Sequence, residues 1–175
     1  MKPGIVILAE LEPALSEQIL EIQRRFDPKL AGLLPPHVTI TGSSGMGPIA
    51  PGTPPAELRA ALDKVAALTP PMTLAFKRPM QFMQSQVVVL PLDPHGPIRE
   101  LHDRLLTSGL KYEVPRFTFT PHVTLNLFRE LPKAELRELL RVRIDAPVRI
   151  DRISAYKTTG PASTKKLLEI ELDGR

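Results

Sequence analysis

The chain has 175 residues, of which 42% are hydrophobic and 24% charged, a globular balance that allows one domain or two small fused lobes and argues against disorder. It holds no cysteine and no apolar run of bilayer length, which excludes disulfides, thiolate metal sites, thiol nucleophiles and membrane-spanning helices. Its 23 basic and 19 acidic residues leave a net charge of +4, a mild attraction for anions, while six Phe, two Tyr and no Trp are few rings for an extended nucleic-acid stacking surface.

The opening apolar stretch, Ile5 to Ala9, is cut off by Glu10. It is too short for a secretory signal and predicts a cytoplasmic protein. Ile5 to Leu11, ended by Glu12-Pro13, reads as a buried strand. Leu15, Ile19, Ile22 and Phe26 then form one stripe of an amphipathic helix. Val38 to Thr41 is β-branched and reads as a strand. Residues 42–55 are rich in Gly, Pro and Ser and predict a flexible loop, with Ser43 to Gly47 as a lid. Thr53-Pro54 reads as the start of a helix whose apolar stripe is Leu58, Ala61, Leu62, Val65 and Leu68. Met72, Leu74 and Phe76 alternate as in a strand. Gln86 to Leu92 is a further strand. Ile98, Leu101 and Leu105 mark a helix with Gly109 just past its end, and His102 beside that stripe reads as a surface or boundary residue. Phe117 to Leu127 is β-rich, Pro132 opens a helix carrying Leu136, Leu139 and Leu140, and Val148 to Ala155 reads as a strand. Leu168, Ile170 and Leu172 alternate with acidic residues in a last strand. The polar stretch Lys157 to Lys166 between these two reads as a loop.

Two echoes organise this list. Pro36-His37-Val38-Thr39-Ile40 returns as Pro121-His122-Val123-Thr124-Leu125, 85 positions later. Upstream, Ile7 to Pro13 resembles Val88 to Pro94, 81 positions later. Each half therefore reads strand, acidic-Pro turn, helix, loop, Pro-His-Val-Thr strand. The expectation is an α+β fold: residues 1–175 as a single domain, two pseudo-twofold lobes, two antiparallel sheets facing a central cleft, and helices outside.

In a strand, side chains at i and i+2 share a face. His37 therefore points with Thr39, and His122 with Thr124. An imidazole beside a hydroxyl is a proton carrier beside an oxygen-binding donor. Two such pairs across a cleft suit a reaction in which one oxygen enters phosphorus while another leaves: one neutral histidine removes a proton, one protonated histidine supplies it. The alternative for each motif is packing, but a core position would favour Val or Ile over a polar imidazole. Two rival classes are a non-catalytic RNA or nucleotide-binding module and a metal enzyme. Two histidines without nearby carboxylates make a poor zinc set.

The paired His-x-Thr-hydrophobe motifs resemble the 2H phosphoesterase superfamily, and within it the 2′-5′ RNA ligase or RNA 2′,3′-cyclic phosphodiesterase branch. The resemblance spans the opening strand and helix, Pro36 to Ile40, Val87 to Leu106 and Phe119 to Leu125. It implies a two-lobed α+β fold, His37 and His122 as the catalytic acid/base pair, Thr39 and Thr124 as the phosphate-binding pair, and no metal or other cofactor. The implied reaction is hydrolysis of a 2′,3′-cyclic phosphate or 2′-5′ phosphodiester, reversible as ligation. The implied partners are RNA ends or small cyclic and 2′-5′ nucleotides, with no membrane and no obligate protein partner. Members of this branch often carry Arg shortly after the second motif. Here Leu127 holds that position and the nearest arginine is Arg129. Phe117, Arg129 and Lys157 are the further candidates for substrate contact, Phe117 having core packing as its competing assignment.

Overall fold

Short elements separated by prolines build this chain. The computed structural model describes residues 3–160 and 163–174. In chain order the strands and helices are β1 (Gly4–Glu10), α1 (Pro13–Phe26), α2 (Pro28–Ala31), β2 (His37–Thr41), α3 (Pro55–Ala67), β3 (Met72–Leu74), β4 (Met80–Gln81), β5 (Val88–Pro91), α4 (Pro97–Leu106), β6 (His122–Asn126), α5 (Lys133–Leu139), β7 (Val148–Ile150), β8 (Arg152–Gly160) and β9 (Ser163–Glu171). Among the described residues no helix is long and apolar enough to cross a membrane.

The duplication read from the sequence is physical. β1 and β2 pair antiparallel through Ile7–Thr41, Leu8–Thr39, Ala9–Val38 and Glu10–His37, with a register shift after Ile7. β5 and β6 pair through Val88–Asn126, Val89–Thr124, Leu90–Val123 and Pro91–His122, with the shift after Val88. The two hairpin-like pairs thus share one register, including the irregularity. The first sheet runs β2-β1-β8-β9 and the second β4-β5-β6. A third, two-stranded sheet, β3-β7, was not anticipated. Among the described residues no sheet closes into a barrel.

Each lobe lends its helix to the other. α1 packs on β6, and α4 packs on β2. Leu15, Ile19 and Phe26 of α1, Ile98, Leu101 and Leu105 of α4, and Val38, Ile40, Val123 and Leu125 of the motif strands all belong to one buried cluster. The alternation of the strands explains the result: the hydrophobes at even spacing face the helices, so His37, Thr39, His122 and Thr124 must face away from them.

Several expectations are corrected. The stretch Lys157 to Lys166 is not a loop, because β8 continues to Gly160 and β9 begins at Ser163; Pro161 and Ala162 lie outside the described residues, as do Met1 and Lys2 at the start of the signal reading. One face of this hairpin is polar, so apolar alternation does not mark it. Thr53 does not cap α3; its hydroxyl donates to Ala50 O at 2.8 Å, and the helix starts at Pro55. Leu68 follows that helix and is 61% exposed. His102 is buried, 3% exposed, because with Ile98, Leu101 and Leu105 it completes the inward stripe of α4. Its ring lies 4.1 Å from that of Phe119, and its Nδ1 is 3.0 Å from Asp103 Oδ1.

The segment read as a flexible lid is fastened at several points. Met46 and Ile49 are buried. Gly45 N donates to Phe117 O at 2.8 Å and Gly47 N to Glu113 O at 3.0 Å, while Ser44 Oγ accepts from Thr120 N at 3.0 Å. Gly45 has φ +73°, and a Cβ there would fall 2.3 Å from His102 Nε2 and 2.8 Å from Phe119 Cβ. Gly45→Ala is therefore expected to destabilise the protein by about 2–3 kcal/mol, backbone strain and overlap combined. Thermal or urea unfolding checks this, and a loss under about 0.5 kcal/mol would show that His102 moves aside at little cost.

Candidate active site

The cleft faces of β2 and β6 carry the repeated motif, and the local geometry repeats with it. His37 Nδ1 is 2.7 Å from Pro35 O, and His122 Nδ1 is 2.6 Å from Thr120 O. A carbonyl only accepts, so in the neutral ring each Nδ1 carries the hydrogen and each Nε2 keeps its lone pair. The prolines at positions 36 and 121 hold the preceding residue extended, which turns its carbonyl back toward the ring.

Beyond each histidine the face divides its labour. Thr41 Oγ1 accepts from Ile7 N at 3.3 Å. Asn126, its counterpart, donates from Nδ2 to Gln86 O at 2.7 Å and to Arg129 O at 2.8 Å. These third positions hold the fold together. Thr39 and Thr124, by contrast, have no protein partner for their hydroxyls among the described residues. They and the two histidines are half-buried and line one chamber of about 260 Å³.

A wider cleft of about 740 Å³ continues past His37 and Thr39. Val6, Leu8 and Leu34 form an apolar floor, and Arg116 and Phe117 stand on its rim. Phe117 is 71% exposed, so the competing assignment of core packing is overturned: its carbonyl accepts from Gly45 N and an isolated bridge pairs it with Ser44, which fixes the backbone and leaves the ring to solvent. Leu127 lines both the chamber and the outer cleft.

Burial is the main influence on both imidazoles, and it lowers both below the ordinary histidine range. At His37 the Pro35 carbonyl and the Glu10 charge partly oppose it. At His122 the Thr120 carbonyl opposes it, while the charge of His37 adds to the lowering.

Two of the further candidates do not reach the cleft. Arg129 Nη1 donates to Phe26 O at 2.6 Å and Nη2 to Glu135 Oε2 at 3.3 Å, so its guanidinium ties α1 to the start of α5. Lys157 is exposed on β8 on the face opposite Tyr156 and Thr158. The lysine that does sit near the site is Lys166, whose Nζ is 2.9 Å from Glu10 Oε1. Neither Arg129 nor Lys157 lines either cavity.

Two polar residues of the site are silent in the motif reading. Gln23 lines the chamber and donates from Nε2 to Thr124 O at 2.8 Å. Its signal was a polar residue on the inward stripe of α1, between Ile19 and Phe26. Asp27 is fully buried and accepts from Leu30 N, Leu127 N and Phe128 N. It fixes both Leu30 and Leu127, which line the chamber. Among the described residues no three His, Asp or Glu side chains are gathered to share a metal ion.

Two interlocked lobes each present a histidine and a threonine to one chamber. Residues 11–162 match the family model of the 2′-5′ RNA ligase superfamily, and the chain belongs to that superfamily. A Geobacillus kaustophilus (strain HTA426) protein provisionally designated a phosphoesterase is 31% identical over 140 residues, covering 79% of this chain and 75% of that protein. A Geobacillus thermodenitrificans (strain NG80-2) protein with the same designation is 29% identical over 142 residues, with the same coverage of 79% and 75%. In fold the chain is similar to E. coli LigT. The TM-score is 0.59 to its apo crystal structure, at 20% identity and 98% of both chains, and 0.57 to its complex with 3′-AMP, at 19% identity and 99% of both chains.

Proposed function

We propose that this protein is a metal-independent phosphoesterase that opens 2′,3′-cyclic phosphates, or cleaves 2′-5′ phosphodiesters, at RNA ends or in small nucleotides. One observation carries this reading: two His-x-Thr pairs of identical register line the same chamber, and among the described residues their threonine hydroxyls have no protein partner. One neutral imidazole takes a proton from water as its oxygen attacks phosphorus. The other, protonated, gives a proton to the ribose oxygen as the P–O bond breaks. Thr39 and Thr124 donate to the non-bridging oxygens, whose charge grows in the transition state. Joining ends is the same ring-opening path with the 5′-hydroxyl of a second strand in the place of water: one imidazole takes the hydroxyl proton as its oxygen bonds phosphorus, and the ring oxygen leaves with the proton of the other. Similarity to LigT, which crystallises with 3′-AMP, favours the nucleotide class. The outer cleft, with Phe117 on its rim, has the apolar floor and exposed ring that a base or sugar needs.

The electrostatics set a pH signature. The acid works only protonated, so rate falls as pH rises through its pKa. The base works only neutral, so rate falls as pH drops through its own. Both imidazoles are lowered in the free protein, which places the top of the kcat/KM bell on the acid side of the ordinary imidazole value of about 6.5. A bound phosphate anion favours imidazolium, so the kcat profile should lie at higher pH than that of kcat/KM. Both are read from hydrolysis of a nucleoside 2′,3′-cyclic phosphate in EDTA across pH 4–9. A kcat/KM maximum above about pH 7.5 would contradict these two histidines as the acid and base.

A further inference from the structure

The two halves of the site match in backbone but not in charge. Across from His37 stands Glu10 on the neighbouring strand β1. In the same position across from His122 stands Pro91, and the ring of Phe82 meets the His122 ring edge to face at 5.3 Å. Pro91 and Phe82 carry no charge. Glu10 is held in place: its Oε1 accepts from Tyr156 OH at 2.6 Å and from Lys166 Nζ at 2.9 Å, and Lys166 also binds Glu169.

We infer that Glu10 breaks the symmetry of the site, so that His37 is the imidazole that holds the proton and gives it to the leaving oxygen, and His122 is the neutral base. This rests on the phosphoesterase reading above for its chemistry, but the polarity it asserts exists in the resting protein. The order of strands decides the sign. From β2 outward come β1, β8 and β9: first the Glu10 carboxylate beside His37, then the Tyr156 phenol, and the Lys166 ammonium furthest away. Glu169 on β9 is compensated by Lys166 and by Arg152 on β8. On β6, His122 shares the chamber with His37, and Glu113 and Arg116, of opposite charge, line the outer cleft beyond it. The nearest fixed charge is therefore negative, and it favours a proton on His37. That proton in turn disfavours a second one on His122, as like charges in one site do.

The carboxylate is well suited to stay ionised. Burial pushes it upward, but the bonds from Tyr156 and Lys166 outweigh that and leave it below the usual range. In turnover, His122 Nε2 accepts the water proton as the new P–O bond forms, and His37 Nε2–H protonates the departing ribose oxygen as the old one breaks. Exchange with solvent then returns the proton from His122 to His37. Glu10 touches neither phosphorus nor the moving proton; it is a positioning residue acting through His37.

Two measurements test this. The first is NMR titration of the two imidazoles in the full chain, as wild type, Glu10→Gln and Lys166→Gln. Wild-type His37 should titrate at higher pH than His122. Glu10→Gln should lower the His37 midpoint by about half a pH unit or more, and Lys166→Gln, which leaves Glu10 less compensated, should raise it. Loss of packing alone would not move the midpoint in opposite directions. A wild-type order with His122 above His37, or an unmoved His37 midpoint in both variants, would overturn the proposal. The second compares a nucleoside 2′,3′-cyclic phosphate with the p-nitrophenyl ester of thymidine 3′-phosphate, whose phenolate leaves without a proton. His37→Ala should lose at least about 10-fold less on the aryl ester than on the cyclic phosphate, and His122→Ala about equally on both. The reverse pattern would exchange the roles. If the wild type turned over neither substrate, the phosphoesterase reading would fail, and the titrations would still decide the polarity.

Discussion

His37→Ala and His122→Ala are each expected to lose about 10²–10⁴-fold in kcat/KM on a nucleoside 2′,3′-cyclic phosphate. The two losses should resemble each other because the rings are built alike: each is held by one backbone carbonyl and exposes one nitrogen to the same chamber. Acid and base act in one transition state, so the double variant should fall little below the weaker single one, as groups that work as a unit are non-additive. Stability should scarcely change. Both side chains are half-buried on the cleft face, and the core beneath consists of Val38, Ile40, Val123 and Leu125. Steady-state kinetics and melting curves together check this. A large loss of melting temperature with activity per folded molecule retained would make the histidines structural.

Asp27→Ala is expected to cost about 3–5 kcal/mol of stability, the largest effect predicted for any residue outside the apolar core. The carboxylate is fully buried. Its Oδ1 accepts from Leu30 N at 3.1 Å, and its Oδ2 from Leu127 N and Phe128 N, both at 2.8 Å. Alanine would leave three backbone donors without their acceptor, at about 1–3 kcal/mol each before relaxation. For a chain of this size the loss corresponds to a fall in Tm on the order of 10 °C. Asp27→Asn keeps one acceptor oxygen and should lie between. Because Asp27 anchors α2 against the chain just after β6, Leu30 and Leu127 should loosen together and activity should fall with stability. An unchanged unfolding curve would mean that water takes over all three bonds.

Repeated residues were the most legible part of this chain. Val38-Thr39 and Val123-Thr124 alternate strictly, so strand, face and the partnership of histidine with threonine all follow from a period of two. The echo of Ile7 to Pro13 in Val88 to Pro94 has its counterpart in the structure, where each echoing strand pairs with its motif strand in one register, irregularity included. What stayed hidden depends on contacts between distant positions. Asp27 is 100 residues from Leu127, and nothing local marks it as buried. Glu10 and Lys166 meet only because β8 and β9 complete the sheet around β1. The inner halves of β8 and β9 read as a loop because the cleft face of that hairpin carries Ser154, Tyr156, Thr158, Thr164 and Lys166, a polar row that erases the usual alternation. Of the candidates for substrate contact, Arg129 turns away from the cleft and Phe117 stands on its rim: sequence shows that a residue is near the motif, while the hydrogen bond to Phe26 O and the isolated bridge to Ser44 decide which way each one turns.

The central claim is that two fixed imidazoles flank one phosphoryl group. The most direct measurement is hydrolysis of a nucleoside 2′,3′-cyclic phosphate in EDTA with the 2′- and 3′-monophosphates resolved. A phosphate held between a base on one side and an acid on the other can lose only the oxygen that faces the acid, so one monophosphate isomer should account for essentially all product. A mixture of both isomers, or no turnover on cyclic phosphates, RNA ends and 2′-5′ dinucleotides alike, would contradict the account.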